Sequence, residues 1–369
     1  MTKYSIPLYQ PDLRGNEKRY VMECLDSTWI SSKGSFISKF EDRFADYLGI
    51  DHALGVCNGT AALHLALVTL GMAPGDEVIV PTLTYIAAVN TIAYTGATPV
   101  FVDSLRETWQ LDPDDVRRKI TSRTKAIMVV HLYGQACDME SLCKIAEENK
   151  LYLVEDCAEA FGARYHDRLA GTFGHIAAFS FYGNKTITTG EGGMIVTKDR
   201  ELAERANLFR GQGLVPNREY WHEVIGYNYR MTNICAAIGL AQLERADGFL
   251  SRKRELAQAY QQQLAVLPVE MHREAQSTTH SWWMISILAE NADRDPLRAH
   301  LREAGIETRP LFFPAHTMPM HKRDGENFPV AADLSRRGIN LPSWPGLKDE
   351  QLETITSAIA GYFEKSGAK

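Results

Sequence analysis

Four features of the sequence carry groups that could do chemistry together. Lys185 lies in a polar turn between two apolar runs, Ile176 to Phe181 and Met194 to Val196, with Gly190, Gly192 and Gly193 behind it. An ammonium buried between strands costs several kcal/mol unless it is paired, neutralised or used covalently. A Schiff base is one covalent use that suits an amine; an exposed lysine on a surface hairpin is the plain alternative. Asp156 stands 29 positions earlier and closes an apolar strand within Val154-Glu155-Asp156-Cys157-Ala158-Glu159-Ala160. The carboxyl ends of parallel strands are where α/β folds bind ligands. Carboxylates this close repel, so at least one needs a cation or a proton. Asn58-Gly59-Thr60 opens an apolar helix, where free N–H groups and the helix dipole receive phosphate, or where Asn58 or Thr60 simply caps. Tyr85 follows a strand and Pro81. It would share a rim with Asp156, and either stacks on a flat ring or fills the core.

The combination says more than its parts. A phosphate-receptive helix start, a rim aromatic, a strand-end aspartate and a lysine occur in that chain order. Together they suit pyridoxal phosphate. The lysine would hold the aldehyde, and the aspartate would keep the pyridine nitrogen protonated so that the ring withdraws electrons. At contact distance and an effective dielectric of about 20, that ion pair is worth roughly 4 kcal/mol, or about three pKa units.

These groups need elements to position them. The pattern predicts a helix over Glu17 to Leu25, a loop at Trp29 to Gly34, and a helix over Phe36 to Leu48 with an apolar face. A strand at Ala53 to Val56 leads into the helix Ala61 to Leu70, apolar nearly all round and so buried. Strands at 77–80, 99–102, 126–131 and 152–154 then alternate with helices at 86–94, 113–120 and 139–148, ahead of the strand pair around Lys185 and a helix over 200–210. Such alternation of apolar strands and helices implies an α/β protein with a mostly parallel sheet covered by helices. Long helical runs follow at 232–250 and 251–264, then strand 282–288, helix 295–304, a Pro-rich loop at 309–319 and a final helix ending near Phe363. The texture changes near residue 250. We expect a large domain over 1–248, including an N-terminal arm, and a smaller C-terminal α/β domain over 249–369.

Bulk properties set the limits. The chain has 369 residues, a formal charge of −6, 45% hydrophobic and 23% charged residues. Two domains and an ordinary large core fit this length. The charge argues against nucleic acid or an anionic membrane as partner, so an anionic substrate needs local cations. The first residues do not read as a signal peptide, and no apolar run is long enough to span a membrane. Six scattered cysteines without a C-x-x-C pair suit a reducing cytoplasm. No H-E-x-x-H or zinc spacing occurs, so no metal is expected.

The chain resembles the DegT/DnrJ/EryC1/StrS family of nucleotide-sugar aminotransferases over essentially its whole length. The resemblance rests on Trp29-Ile30-Ser31-Ser32-x-Gly34, Asn58-Gly59-Thr60-x-Ala62-Leu63, Val80-Pro81-Thr82-x-Thr84-Tyr85, His131-Leu132-Tyr133-Gly134, Glu155-Asp156-x-Ala158-Glu159-Ala160, Phe179-Ser180-Phe181-x-Gly183-Asn184-Lys185, Gly190-Glu191-Gly192-Gly193-Met194 and Gly226-Tyr227-Asn228-Tyr229-Arg230-Met231. It implies an aspartate aminotransferase-like fold (type I) and pyridoxal 5'-phosphate as cofactor, with pyridoxamine 5'-phosphate as intermediate. Carried over by motif, Lys185 is the catalytic lysine and Asp156 pairs with the ring nitrogen. Tyr85 stacks on the ring, Gly59, Thr60 and Ser180 hold the phosphate, and Glu159 lies near the ring oxygen. Asn228 reaches the neighbouring subunit's cofactor, which implies a homodimer with shared sites. A related branch of 3-dehydratases has histidine in place of Lys185, so the lysine implies amino transfer. Many members carry Gln or His at Glu159; the glutamate must share a proton there or meet like charge.

The branch that the chain resembles most aminates C4 of GDP-4-keto-6-deoxy-mannose with glutamate as donor, for O-antigen polysaccharide. Candidate substrate contacts are Trp29, Ser31, Lys33, His131, Arg309 and His316. Three other readings stay open at this level. One is a sibling enzyme using a UDP- or dTDP-linked keto sugar. Another is a pyridoxal phosphate-binding regulator without turnover. The third is a nucleotide-binding α/β protein without pyridoxal phosphate, although no G-x-G-x-x-G follows the first strand.

Overall fold

A computed structural model describes residues 4–215, 217–289, 294–322 and 325–366. In chain order the protein contains α1 (Glu17–Asp26), α2 (Ser35–Leu48), β1 (His52–Val56), α3 (Gly59–Thr69), β2 (Glu77–Pro81), α4 (Ile86–Tyr94), β3 (Thr98–Val102), α5 (Pro113–Lys119), β4 (Thr124–Val130), α6 (Met139–Glu148), β5 (Tyr152–Asp156), β6 (Arg164–Tyr165), β7 (Arg168–Leu169), β8 (Ile176–Ser180), β9 (Gly193–Thr197), α7 (Arg200–Arg210) and α8 (Asn233–Leu243). There follow α9 (Ala246–Leu264), β10 (Val269–Met271), β11 (Thr278–Thr279), β12 (Ile285–Ala289), α10 (Arg294–Glu303), β13 (Arg309–Pro310), α11 (Pro329–Arg337), β14 (Gly338–Leu341) and α12 (Asp349–Ser366).

Seven strands form the main sheet in the order β1-β9-β8-β5-β4-β2-β3. β3, β2, β4, β5 and β8 pair in parallel, while β9 runs antiparallel to both neighbours. The expected mostly parallel sheet is therefore present. Its strands read as continuous apolar runs because both faces are covered: β2 and β9 are buried at every position. α3 packs on β8 and β9 beneath α4 and α7. Leu63, Leu65 and Leu67 of α3 are at most 2% exposed, and burying each such side chain stabilises the fold by about 2 kcal/mol. On the other face, α2 directs Phe36, Phe40 and Phe44 inward at four-residue spacing and packs with α1 against α8.

A second sheet, β10-β12-β14-β13, is antiparallel. β11, β6 and β7 make a third, small one. The start of the N-terminal arm also reaches the C-terminal half of the chain: Ile6 bridges to Ile306, and Ser5 and Ile6 donate to Gly305 O.

One helix division and one strand start differ from expectation. The runs at 232–250 and 251–264 divide at Glu244-Arg245, not at 250. No proline or glycine marks that break. Glu244 accepts hydrogen bonds from Asn16 and Tyr20, and Arg245 pairs with Asp12 at 2.9 Å, so the arm and α1 set it. The strand expected at 282–288 begins only at Ile285, because Trp282 takes a left-handed φ of 53° and turns the chain toward the main sheet. α11 and β14 were not expected from the sequence.

Candidate active site

The parallel strands β4, β5 and β8 point their carboxyl ends at one cavity of about 650 Å³. Gly59, Thr60, Tyr85, Asp156, Glu159, Ser180 and Lys185 all line it. Seven of the eight expected cofactor contacts thus converge; Asn228 does not line the cavity. It lies in an isolated bridge with Gly211, and its side-chain oxygen faces Arg230.

Asn58 caps α3, its side chain accepting from Ala61 N at 2.8 Å. Capping and phosphate reception turn out to be compatible. The cap occupies one first-turn donor, while the N–H groups of Gly59 and Thr60 have no acceptor among the described residues. A Cβ on Gly59 would sit 2.6 Å from Ser180 Cβ. Only glycine lets the helix start and the end of β8 approach closely enough to share one ligand. Exposed N–H groups, a hydroxyl and a helix start make a cradle for a phosphate.

Lys185 closes the other end. Its loop is held from three directions: Lys185 N donates to Tyr182 O at 2.9 Å, Tyr9 OH donates to Lys185 O at 2.8 Å, and Trp283 Nε1 donates to Asn184 O at 2.8 Å. The amine rests 3.8 Å from the centre of the Trp283 ring and 3.7 Å from Glu159 Oε1. Burial pulls the Lys185 pKa down, against the attraction of Glu159 and Asp156.

Glu159 is pushed up to about 7 by burial, opposed by Lys185 and by Tyr133 N, which donates to Oε2 at 2.9 Å. That N–H is aimed by a left-handed Tyr133, φ 57°, followed by Gly134, φ 102°, where a Cβ would lie 2.8 Å from the backbone nitrogens of Trp282 and Trp283. Asp156 at the end of β5 is raised by burial, and accepts from Ala158 N at 3.0 Å. Two acids and one amine, all desolvated, are the environment in which protons move at neutral pH. Tyr85 forms one wall and packs against Phe312, ring centres 5.6 Å apart.

The expected substrate residues scatter. Trp29, Ser31 and Lys33 lie exposed on the loop between α1 and α2, outside the cavity lining. Arg309 pairs with Glu307 at 2.7 Å and lines a separate hollow with Arg298 and Arg302. His316 is bound through Nδ1 to Thr82 Oγ1 at 2.7 Å and packs on Phe101 and Phe328, outside the cavity lining. His131 is fully buried under the sheet end, its Nε2 3.0 Å from Glu155. It cannot reach a ligand in the cavity. With Glu155 and Cys157 its donor atoms lie within 4.8 Å of one another. The acceptor positions of His131 and Glu155 are already used, however. Cys137 N donates to His131 Nδ1, and Gly171, Phe173 and Gly174 donate to Glu155. The trio reads as a hydrogen-bonded support for β5.

Sequence reasoning missed Tyr9, Trp283, Phe312 and the His64–Tyr229 pair, whose Nδ1 and hydroxyl lie 3.0 Å apart in the cavity wall. The adjacent pair Trp282-Trp283 is the usable signal, hidden at the start of the strand expected over 282–288.

Comparison with known proteins agrees with this geometry. Over 359 residues the chain is 59% identical to the GDP-perosamine synthase of Escherichia coli O157:H7, covering 97% of this chain and 98% of that one. It is 50% identical to the GDP-perosamine synthase of Vibrio cholerae, covering 97% and 99%. Among solved structures, Spr1654 of Streptococcus pneumoniae in its PLP form superposes with a TM-score of 0.93 at 29% identity, covering 98% of this chain and 99% of that one; the same protein is also known in a PMP form. The model of the DegT/DnrJ/EryC1/StrS aminotransferase family matches residues 11–360, and the chain belongs to that family.

Proposed function

We propose that this enzyme is a pyridoxal phosphate-dependent aminotransferase that converts GDP-4-keto-6-deoxy-mannose to GDP-perosamine with glutamate as amino donor. The carrying observation is the desolvated amine of Lys185 in the same cavity as Asp156 and the cradle of Gly59, Thr60 and Ser180. The choice of sugar nucleotide follows the relatives, 59% and 50% identical over nearly the full chain. We assign the product to O-antigen polysaccharide.

The residues fit the cofactor. The first turn of α3 and Ser180 bind its phosphate. Tyr85 covers one side of the cavity and excludes water. When bound, pyridoxal phosphate supplies a ring that stabilises negative charge on a carbon losing its proton. Asp156 holds a proton on the ring nitrogen, offsetting its own burial. Lys185 holds the cofactor between turnovers. Its amine, once free and neutral, takes a proton from the donor and returns one to the acceptor. Glu159 faces Lys185 Nζ and keeps or gives up its own proton according to the charge on that amine. The cycle is ping-pong.

Further assignments belong to this reading. Asn228 completes the site of a second copy in a homodimer. Large apolar side chains exposed on the preceding loop support a covered surface there: Tyr220 and Ile225 are 91% and 92% exposed. A domain boundary near residue 248 is supported by the changeover along α9. Phe249 and Leu250 pack with the large-region core, and Leu256, Tyr260 and Leu264 with the small one. We place the reaction in the cytoplasm, a setting in keeping with six free cysteines; no helix among the described residues is long and apolar enough to cross a membrane.

The decisive assay offers glutamate with GDP-, UDP- and dTDP-4-keto-6-deoxy sugars and reads product mass. An aminated GDP product is expected. Amination of only the UDP or dTDP sugar would remove the perosamine assignment and leave the aminotransferase. No amination, with a colour that glutamate does not bleach, would remove both.

A further inference from the structure

Lys253, in the second turn of α9, is 0% exposed. Among the described residues no carboxylate pairs with it. Its Nζ donates to Trp283 O at 2.8 Å and to Ser343 O, and stands 5.5 Å from the centre of the Tyr9 ring. A buried amine without a counter-charge is costly, and burial alone pulls its pKa down to about 7. A core position that needed only packing would carry a leucine or methionine.

The partners of Lys253 give it a task. Trp283 is the residue whose ring floors the Lys185 amine and whose Nε1 donates to Asn184 O. Tyr9 is the residue whose hydroxyl donates to Lys185 O. Ser343 N donates to Leu8 O, beside Tyr9, and Ser343 Oγ accepts from Ile285 N, two residues past Trp283. Three chain segments far apart in sequence, the arm, the entry to β12 and the loop after β14, therefore meet on one ammonium. Two of them grip the Lys185 loop.

We propose that Lys253 is a positioning residue for Lys185: its ties to Trp283 O and Ser343 O hold Trp283 and Tyr9 in the places from which they fix the loop 183–187. A neutral amine keeps two N–H groups, so both carbonyls are served in either protonation state. The reach to catalysis rests on the reading of Lys185 as the reactive amine; the packing does not.

The test compares Lys253→Met with Tyr260→Phe. Methionine keeps the length and leaves Trp283 O and Ser343 O buried without a donor. Tyr260→Phe removes the hydroxyl that donates to Pro342 O in the same loop after β14, without touching Trp283. In unliganded protein, amide hydrogen exchange at 183–187 should rise about tenfold or more in Lys253→Met, with β5 and α3 unchanged, and stay near wild type in Tyr260→Phe. In the holoenzyme, Lys253→Met should lower kcat about tenfold, with KM for glutamate within about threefold, and move the pH midpoint of the cofactor's visible band. Unchanged exchange at 183–187, or an equal rise in Tyr260→Phe, overturns the proposal. Raised exchange with normal kcat and an unmoved band would mean that the tie does not serve Lys185 in turnover, which also overturns the proposal; failure of the Lys185 reading itself shows separately, as full turnover in Lys185→Ala. Should Lys253→Met fail to fold, Tyr9→Phe, Trp283→Phe and their double variant decide by the same exchange. Residues held by one tie act as a unit, so the double should exceed the larger single by little; additive increments overturn the proposal.

Discussion

Lys185 Nζ and Glu159 Oε1 stand 3.7 Å apart with both side chains nearly out of water. Burial pushes the two groups toward their neutral forms, and each opposes that push in the other. A carboxyl pushed up to about 7 beside an amine pulled down by the same burial brings the proton affinities of the two groups closer together than in water. This is what a lysine that must alternate between cation and free base requires.

Removing the amine should therefore abolish chemistry and spare the fold. Lys185→Ala deletes a buried charge from a loop whose main chain is held by Tyr9, Trp283 and Tyr182. Its circular dichroism and melting temperature should stay close to wild type. Turnover should fall by roughly 10⁴-fold or more, the upper end for a positioned acid–base group, and borohydride should no longer fix the cofactor to the chain. Full turnover in this variant would sink the assignment.

Glu159 predicts a pH slope in the unliganded protein. Its folded pKa of about 7 lies above the ordinary 4.5, so the folded state binds more protons between those values. The contribution to stability is fully present below pH 4.5 and is lost as pH rises through about 7. Glu159→Gln keeps the neutral shape and should flatten that stretch. The variant should gain on wild type as pH rises from 4.5 to 8, by up to roughly 3 kcal/mol at the upper end. Melting temperature against pH, with cofactor removed, checks the sign. A wild-type curve that climbs over this window and is unaltered by the substitution would refute it.

How much of this was legible in the sequence follows from how local each signal is. Asn58-Gly59-Thr60 and Asp156 announce themselves because a cap and a strand end are made within a few residues. Lys185 is legible because two apolar runs bracket it. The grip on Lys185 is different. Tyr9 is 176 residues away, and Trp283 lies 99 residues from the Asn184 whose carbonyl it holds; no window of local pattern contains such pairs. Trp282-Trp283 resembles strand because aromatic runs do, and only the left-handed φ at Trp282 reveals a turn. His131 misled for the converse reason. It sits beside a strand end, where ligands bind, but Glu155 and Cys137 N turn its ring into the core. The division at Glu244-Arg245 was invisible because its cause is Asp12, Asn16 and Tyr20, more than 200 residues earlier.

Asp156 should separate holding the cofactor from activating it. Asp156→Asn keeps shape and the contact to Ala158 N but cannot pair with a ring cation. Losing an ion pair of roughly 4 kcal/mol corresponds to a fall in kcat of about 10²- to 10³-fold, with the phosphate cradle untouched. Cofactor affinity should drop by about tenfold at most. Equal loss of affinity and kcat, measured by equilibrium titration and single-turnover bleaching with glutamate, would mean that Asp156 anchors the cofactor without tuning it.

The cradle makes the last prediction, and it contains its own control. Gly59→Ala places a methyl 2.6 Å from Ser180 Cβ and 2.9 Å from its Oγ, so the start of α3 and the end of β8 must part. Both supply phosphate ligands, and parting them should raise the cofactor Kd by about 100-fold. Ser180→Ala alone removes one hydrogen bond to a charged group, worth about 1.5–3 kcal/mol, or roughly 10- to 100-fold. The two substitutions together cannot restore binding, because alanine keeps the Cβ that clashes. Gly59→Ala with Ser180→Gly relieves the clash, because that Cβ is gone, and recovers binding up to the level that the lost hydroxyl allows. That pair should melt at a higher temperature than Gly59→Ala alone and bind cofactor at least as well as Ser180→Gly alone. Gly59→Ala binding cofactor like wild type would mean that the close approach of α3 to β8 serves packing, and that the phosphate is held elsewhere.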